Sequence, residues 1–377
     1  MGLDVATSRA IDGTEPSRVV RPQDAAEVAD VVRSANDARE AIVLWGGGTR
    51  IGVGDAPTRY DVALDLTGLS GIVEHTAADL VCTVRAGTTL AELAAALAPS
   101  GQRWPVDCAD PRRATVGGTI ASAAPAPSRL RFQHPRDWTI GCEAVLGDGT
   151  RARAGGRVVK NVSGFDLTRL YSGTYGTLAA LVEVSLKLVA VDEAARVLRA
   201  TDGDLTRLAA LASRVRATLP VEGIALTAGR PVSTLHVRVA GSAAAVARIA
   251  HDLDALGIAE EAPDGEWTDV VARPAREERA ARCSTAPGRE ADAIGDNGVA
   301  FVGTGIAYRF EGAADELARL RERREGAGGA LVIERARTDV RRTIGTWGTI
   351  RMPGPIARRL KEAFDPRGVL APGRIPV

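Results

Sequence analysis

The stretch Trp45-Gly46-Gly47-Gly48-Thr49-Arg50-Ile51-Gly52 follows a short apolar run, Ala41 to Leu44, that reads as a buried strand. Three glycines after a strand free the backbone to adopt positive φ and to approach a ligand closely. Successive N–H groups in such a turn form an anion-binding nest. Thr49 adds a hydroxyl and Arg50 a positive charge, so a pyrophosphate is a natural guest. A plain turn with a solvated arginine is the competing reading. Two better-known phosphate loops are excluded. Counted from Gly46, the sixth position of G-x-G-x-x-G is Ile51, and the G-K-[ST] of the P-loop is absent.

Upstream, residues 23–39 place Ala25, Val28, Ala29, Val32 and Ala35 at helical spacing after Pro22. Downstream, 60–66 and 81–85 alternate as strands do, and Ala86-Gly87-Thr88-Thr89 caps a helix from Leu90 to Leu97. A second glycine cluster, Thr115-Val116-Gly117-Gly118-Thr119-Ile120-Ala121-Ser122, follows Pro105-Val106-Asp107. Residues 119–136 read as irregular. Ile140 to Leu146 is a strand, and Gly147-Asp148-Gly149-Thr150 signals a hairpin. A third cluster, Gly173-Thr174-Tyr175-Gly176-Thr177-Leu178, precedes a long strand over 176–189.

Beyond residue 190 the composition shifts to Ala, Arg and Glu with fewer glycine clusters. The predicted order is strand 195–200, helix 204–219, strands 223–228 and 234–240, and helix 243–256. A strand pair around 299–310, a helix at 313–324 and a strand at 330–335 follow. This is an α+β module of ferredoxin-like type. A final helix, 355–364, leads into a Pro/Gly-rich tail.

The 377 residues carry 48 Lys+Arg against 47 Asp+Glu, so no basic excess marks a polyanion partner, and no nucleic acid is expected. Aromatics at 4% offer no stacking platform for single strands. No apolar run approaches the roughly 20 residues of a spanning helix, and Met1 to Glu15 does not read as a signal peptide. Cytoplasm is the expected location. Cys82, Cys108, Cys142 and Cys283 lie far apart, so no zinc ribbon or ferredoxin-type cluster is bound by this chain alone. The four histidines (75, 134, 236 and 251) show no metal-ligand spacing, and no metal is expected.

The glycine series resembles the FAD-binding domain of the vanillyl-alcohol oxidase / p-cresol methylhydroxylase superfamily. The matching pieces are GGGT at 46–49, ATVGGTIAS at 114–122 and RDWTIGCEAVLGDGT at 136–150. GGRVVKNVSGFDLTRLYSGTYGTLAALVEVSLKL at 155–188 and FDPRGVLAPGRI at 364–375 complete the pattern. Within the superfamily, KNVSGFDLTRLYSGTYGTL is most similar to the FAD-binding E subunits of glycolate oxidases, which work beside a catalytic flavoprotein subunit and an iron–sulfur subunit. The resemblance implies a two-subdomain FAD-binding domain over residues 1–190, a smaller ferredoxin-like cap over 191–345, and a C-terminal segment, 346–377, returning to the FAD domain. It implies FAD as cofactor and oxidation of a small 2-hydroxy acid, glycolate first.

The same resemblance assigns roles. Gly46, Gly47, Gly48, Thr49 and Arg50 would wrap the pyrophosphate. Pro105, Asp107, Thr115, Gly117, Gly118 and Ser122 would line the flavin side, Val182 would offer its main chain, and the tail would fold over the cofactor. Flavinylated relatives carry a histidine in or beside the first loop; none stands here, so non-covalent FAD is expected. Ala371 replaces the Asn of the usual Asn-Pro-Gly tail. Hydroxy-acid-oxidising relatives use a histidine-rich motif in their C-terminal half, and this chain has no histidine beyond His251.

No base is obvious, so a partner could supply it. Lys160 could reach the cofactor, or serve structure while Asp166 caps the next helix. Tyr308 and Arg309 lie on a strand of the cap, where an arginine could bind a carboxylate or be an ordinary strand residue. Cys108 could be reactive or inert. His236, flanked by Leu235 and Val237, is expected on the outer face of its strand. A self-sufficient oxidase of another alcohol and a flavin-free scaffold are the alternatives.

Overall fold

The fold is described from a computed structural model covering residues 8–156, 165–349 and 354–376. Lys160 lies outside the described residues. Strand β1 (Arg18–Val20), helix α1 (Ala25–Ala38), β2 (Ile42–Trp45) and β3 (Val62–Asp65) open the chain. The three strands form a parallel sheet in the order β1-β3-β2. Asp24 starts α1 by accepting from the N–H groups of Ala26 and Glu27 at 2.8 and 2.9 Å. Its apolar stripe, Val28, Ala29, Val32 and Ala35, is buried against Ile42, Val62 and Leu64 on one side and Val145, Ala180 and Val182 on the other.

A second layer follows: β4 (Ile72–Thr76), β5 (Val81–Arg85), α2 (Leu90–Leu97), β6 (Gln102–Arg103), α3 (Val116–Ala121), α4 (Arg129–Phe132), β7 (Thr139–Leu146), β8 (Arg151–Gly155), α5 (Leu167–Tyr171) and β9 (Ala179–Lys187). Its antiparallel sheet has the order β4-β5-β9-β7-β8, and β10 (Val189–Ala190) pairs with β6. A Thr89/Glu92 capping box begins α2. The stretch expected to be irregular, 119–136, contains the end of α3 and all of α4.

The remaining elements are β11 (Ala194–Asp202), α6 (Leu205–Thr218), β12 (Gly223–Ala228), β13 (Ser233–Gly241), α7 (Ala243–Asp254), β14 (Glu260–Glu261), α8 (Glu266–Arg276), β15 (Ala280–Ser284), β16 (Gly298–Phe301), β17 (Ile306–Arg309), α9 (Ala314–Gly326), β18 (Ala330–Arg335), α10 (Thr338–Ile344) and α11 (Gly354–Phe364). They build one eight-stranded sheet, β14-β11-β13-β12-β16-β17-β15-β18. That order contains two ferredoxin-like units. The first runs β14-β11-β13-β12, the second β16-β17-β15-β18, and they fuse where Ala225 faces Phe301 and Leu226 faces Ala300. The sequence suggested a single unit because α8 and β15 were not recognised.

Strand alternation divides this sheet into two faces. Leu226, Val237, Ala300, Ala307 and Leu331 share a core with residues of α6, α7 and α9. Ala225, Phe301 and Tyr308 point the other way, toward Trp267, Val270 and Val271 of α8. His236 is on this second face, so its expected outer position is corrected. It is buried, and its Nε2 lies 2.8 Å from Glu266 of α8.

The C-terminal tail returns to the first sheet. Ile42 donates to Val369 at 2.8 Å, and Ala371 donates to Ile42 at 2.7 Å, so the tail lies parallel beside β2. The buried Asp365 carboxylate holds its turn, accepting from Val369, Leu370 and the Lys361 ammonium at 2.9, 2.8 and 2.5 Å. Ala371 sits at φ +46, a region that costs an L side chain about 1–2 kcal/mol and glycine far less. The Ala371→Gly variant is expected to gain about 0.5 kcal/mol after the larger unfolded-state entropy of glycine is subtracted. Urea denaturation would show it as a higher midpoint at constant slope.

Candidate functional site

The end of β2 delivers the Gly46–Arg50 loop onto the N-terminal end of α3. A Cβ on Gly46 would lie 2.4 Å from Thr115 Oγ1, and one on Gly47 would lie 1.6 Å from the Arg113 carbonyl oxygen. The first glycine loop is therefore pressed against the Arg113 backbone and the Thr115 side chain at the start of the second cluster. Gly48 turns through φ +71. Within the described residues, the N–H groups of Gly47, Gly48, Thr49 and Arg50 have no acceptor. Four free donors fanned about a glycine turn make a nest for an anion.

By contrast, the first N–H groups of α3 are occupied. Val116 donates to Thr88 and Gly117 to Ala86, while Gly118 donates to the Thr115 hydroxyl at 3.2 Å. The small residues of this helix serve close approach: a Cβ on Gly117 would lie 2.8 Å from that of Ala86.

A cleft runs between these loops. It is lined by Gly46 to Ile51, Thr115, Gly117, Gly118, Ser122, Tyr175 and Arg374, among others. A larger cavity of about 440 Å³ adjoins it and shares Gly48, Thr49, Arg50, Gly118 and Ser122. Its far walls are the 107–114 loop, α8, Phe301 and Tyr308. Ser122 Oγ is buried, lines both spaces and has no partner among the described residues. Five arginines (50, 112, 113, 276 and 335) and two aspartates (107 and 110) line the larger cavity.

Three of the expected site residues stand differently from the rest. Arg50 crosses to the eight-stranded sheet, where its guanidinium lies 2.9 Å from Glu334 of β18. Val182 is buried in the α1 core, its carbonyl accepts from Ala86, and it does not line the cleft. Pro105 is buried and borders neither space. Tyr308 and Arg309 part company by strand alternation. Tyr308 faces the cavity and donates to Glu334 at 3.2 Å; burial first, and then Glu334, raises its phenol. Arg309 points away and pairs with Glu311 and Glu316 at 3.5 and 3.1 Å.

Sequence reasoning missed five contributors. Arg282 of β15 stands opposite Tyr308 in register, and its Nε lies 2.6 Å from Glu334. Glu334 is thus clasped by Arg50, Arg282 and Tyr308. Burial alone would raise its carboxyl, but the two guanidiniums hold it below the usual carboxylate range. Arg129 is packed close by without a carboxylate partner among the described residues. It donates to the carbonyls of Ala123 and Ala124 at 2.6 and 2.8 Å, and its Nε is orphaned. Burial, with Arg282 and Arg50 nearby, pulls its pKa down to about 10. Arg374, in the tail, donates to the carbonyls of Ile51, Val53 and Asp55, tying the loop after the nest. Tyr175 sits at φ +52, with its ring 5.9 Å from that of Trp347. The third glycine cluster was a visible signal for Tyr175, but no periodicity announces Glu334 or Arg282. Cys108 lines the larger cavity, and burial raises its thiol, which disfavours the thiolate.

Residues 16–155 match the FAD binding domain family model. The chain carries an FAD-binding domain. The free N–H nest and the orphaned Ser122 hydroxyl suit this cofactor, whose pyrophosphate is an anion and whose ring is rich in polar atoms. Glycolate oxidase subunit GlcE of Escherichia coli (strain K12) is 29% identical over 357 residues, 91% of this chain and 95% of that one. Glycolate oxidase subunit GlcD of Bacillus subtilis (strain 168) is 32% identical over 185 residues, 49% of this chain but 39% of that one. The D-2-hydroxyglutarate dehydrogenase of Xanthomonas citri is 34% identical over 173 residues, covering 46% and 37%. The chain thus spans well under half of the last two. Among solved structures, an alkyldihydroxyacetonephosphate synthase superposes with a TM-score of 0.68 at 14% identity, covering 96% of this chain and 78% of that one. That likeness extends the shared fold beyond the FAD domain. No helix among the described residues is long and apolar enough to cross a membrane.

Proposed function

We propose that the protein is an FAD-dependent oxidoreductase taking part in the oxidation of a small 2-hydroxy acid, with glycolate to glyoxylate the leading case. The observation that carries this reading is the cationic lining of the cavity beside the FAD cleft, five arginines against two aspartates, with Arg129, which has no carboxylate partner among the described residues, packed close by. A surplus of guanidinium groups in a partly desolvated space favours an anionic guest. The relatives named for glycolate and 2-hydroxyglutarate point to the same substrate class.

In this reading residues 1–190 with 346–377 hold FAD, and 191–345 form the cap. The N–H groups of Gly47 to Arg50 receive the pyrophosphate, and Thr115, Gly118, Ser122 and Tyr175 border the flavin. When bound, FAD accepts the hydride from the substrate's α-carbon. The chain binds and orients both, and excludes water. A catalytic flavoprotein subunit and an iron–sulfur subunit are the proposed partners, by analogy with GlcE, and the cytoplasm the proposed location.

The test is the visible spectrum of the purified protein, followed by acid precipitation and addition of glycolate or D-lactate under anaerobic conditions. Flavin released into the supernatant and bleached before precipitation by a hydroxy acid is the expected result. Flavin retained in the pellet would overturn non-covalent binding. A protein that neither contains nor takes up FAD would favour a scaffold role.

A further inference from the structure

A hydride can leave a carbinol carbon readily only as its hydroxyl proton departs, so the cavity beside the FAD cleft needs a proton acceptor. Histidine, the commonest choice, is missing there: none of the four lines the cavity. His236 is committed to Glu266 under α8, and burial with Arg129 and Arg136 nearby pulls the His134 pKa down to about 4.

Asp107 is differently placed. It lines the cavity, and its Oδ2 is buried without a hydrogen-bond partner among the described residues. The charged groups around it are Glu222 just before β12, Arg238 of β13 and Arg103 of β6, with the Ser128 hydroxyl facing it. Those arginines are already engaged. Glu222 receives Arg238 at 3.0 Å, Arg103 at 3.1 Å and Arg131 at 3.5 Å, and Asp192 takes Arg103 and Arg131 as well. Four of the five cavity arginines have other acceptors: Arg50 pairs with Glu334, Arg113 donates to Gly47, Arg276 pairs with Asp269 and Arg335 donates to Glu277, while Arg112 has no acceptor among the described residues. Asp110, on the same loop, has no buried orphan oxygen.

We propose that Asp107 is the catalytic base, its carboxylate taking the hydroxyl proton of a bound 2-hydroxy acid. The Cα–H bond breaks with its electron pair, which passes as hydride to the oxidised flavin. The O–H bond breaks, leaving its electrons to form the C=O bond, and the proton forms a new O–H bond on Asp107. Burial, and then Glu222, raises the Asp107 carboxyl above the ordinary carboxylate range, bringing it nearer the operating pH of a general base. This inference rests on the proposed function, and it places the base on this chain rather than on a partner.

The experiment compares wild type with Asp107→Asn and Asp107→Ala, all loaded with FAD. Flavin content and the flavin difference spectrum on adding oxalate, a non-reducing dicarboxylate, report cofactor and anion binding apart from turnover. Anaerobic stopped-flow reduction by glycolate or D-lactate across pH reports the chemical step. Asp107→Asn is expected to keep FAD and oxalate binding. Its reduction should fall by about 10²-fold or more, with loss of the rising limb of the pH profile. Formate should partly restore reduction in Asp107→Ala, which a merely structural role would not allow. Reduction by Asp107→Asn at the wild-type rate and pH profile would overturn the proposal. So would loss of FAD from both variants, which would make Asp107 a cofactor ligand. A wild-type flavin that no hydroxy acid reduces would overturn the proposed function as well, and so separates the two failures.

Discussion

Replacing Glu334 by alanine is expected to destabilise the protein by about 3–5 kcal/mol, the usual cost of removing one partner from a buried ion pair. Glu334 is 3% exposed and receives Arg50, Arg282 and Tyr308. Alanine leaves two guanidinium groups buried and unpaired. One of them, Arg50, extends from the glycine nest, so the variant should also loosen the FAD loop and lower flavin content. Glu334→Gln keeps an acceptor but loses the charge, and should fall between.

The pH dependence follows from the depressed carboxyl pKa. A carboxyl lowered by folding contributes stability above its unfolded pKa and loses it as pH falls through the folded value. The advantage of wild type over Glu334→Gln should therefore be full at neutral pH and shrink only in acid, below the ordinary carboxylate range. Equal denaturation midpoints at neutral pH would sink this account of the cluster.

The second large effect is expected at Gly47. An added Cβ would lie 1.6 Å from the Arg113 carbonyl oxygen, an overlap that only backbone movement can relieve. Either the nest or the 113–115 segment must shift, and both border the cleft. Gly47→Ala should cost about 3 kcal/mol, at the upper end for overpacking. If the loss falls on the cofactor-binding conformation, FAD affinity drops by about 10²-fold. Gly52→Ala is the matched control, because nothing lies within 4 Å of its Cβ position. Flavin content and FAD titration of both variants decide the matter. A Gly47→Ala protein that retains flavin like Gly52→Ala would show that the contact yields without disturbing the cleft.

Much of the fold was legible. Helices at 25–38, 90–97 and 243–254, and strands at 81–85, 223–228 and 330–335, lie at or within two residues of where apolar periodicity put them. Helix α8 was not. Its residues Trp267, Val270, Val271 and Pro274 follow helical spacing, but Pro274 inside the run argues against a helix. That omission hid the second buried face of the eight-stranded sheet, and with it the position of His236.

The candidate site divides along the same line. The glycine clusters announced themselves because a missing Cβ is a local property. Gly46, Gly47 and Gly117 are glycines where another backbone or a short side chain presses against them, and that requirement is written at each position. The sequence by itself therefore determined the three glycine loops, the type of cofactor domain and much of the element order, but not α4, α8 or β15. Only the tertiary structure decided what the charged residues do. For Arg50 the sequence offers a phosphate ligand or a solvated loop arginine, and its side-chain partner lies 284 positions away in the chain on another sheet. A guanidinium at the end of a long flexible side chain takes whichever carboxylate the packing of distant strands brings within reach. Asp107 shows the converse. Its chemistry comes from an Oδ2 with no partner among the described residues, while Glu222 draws in the surrounding arginines.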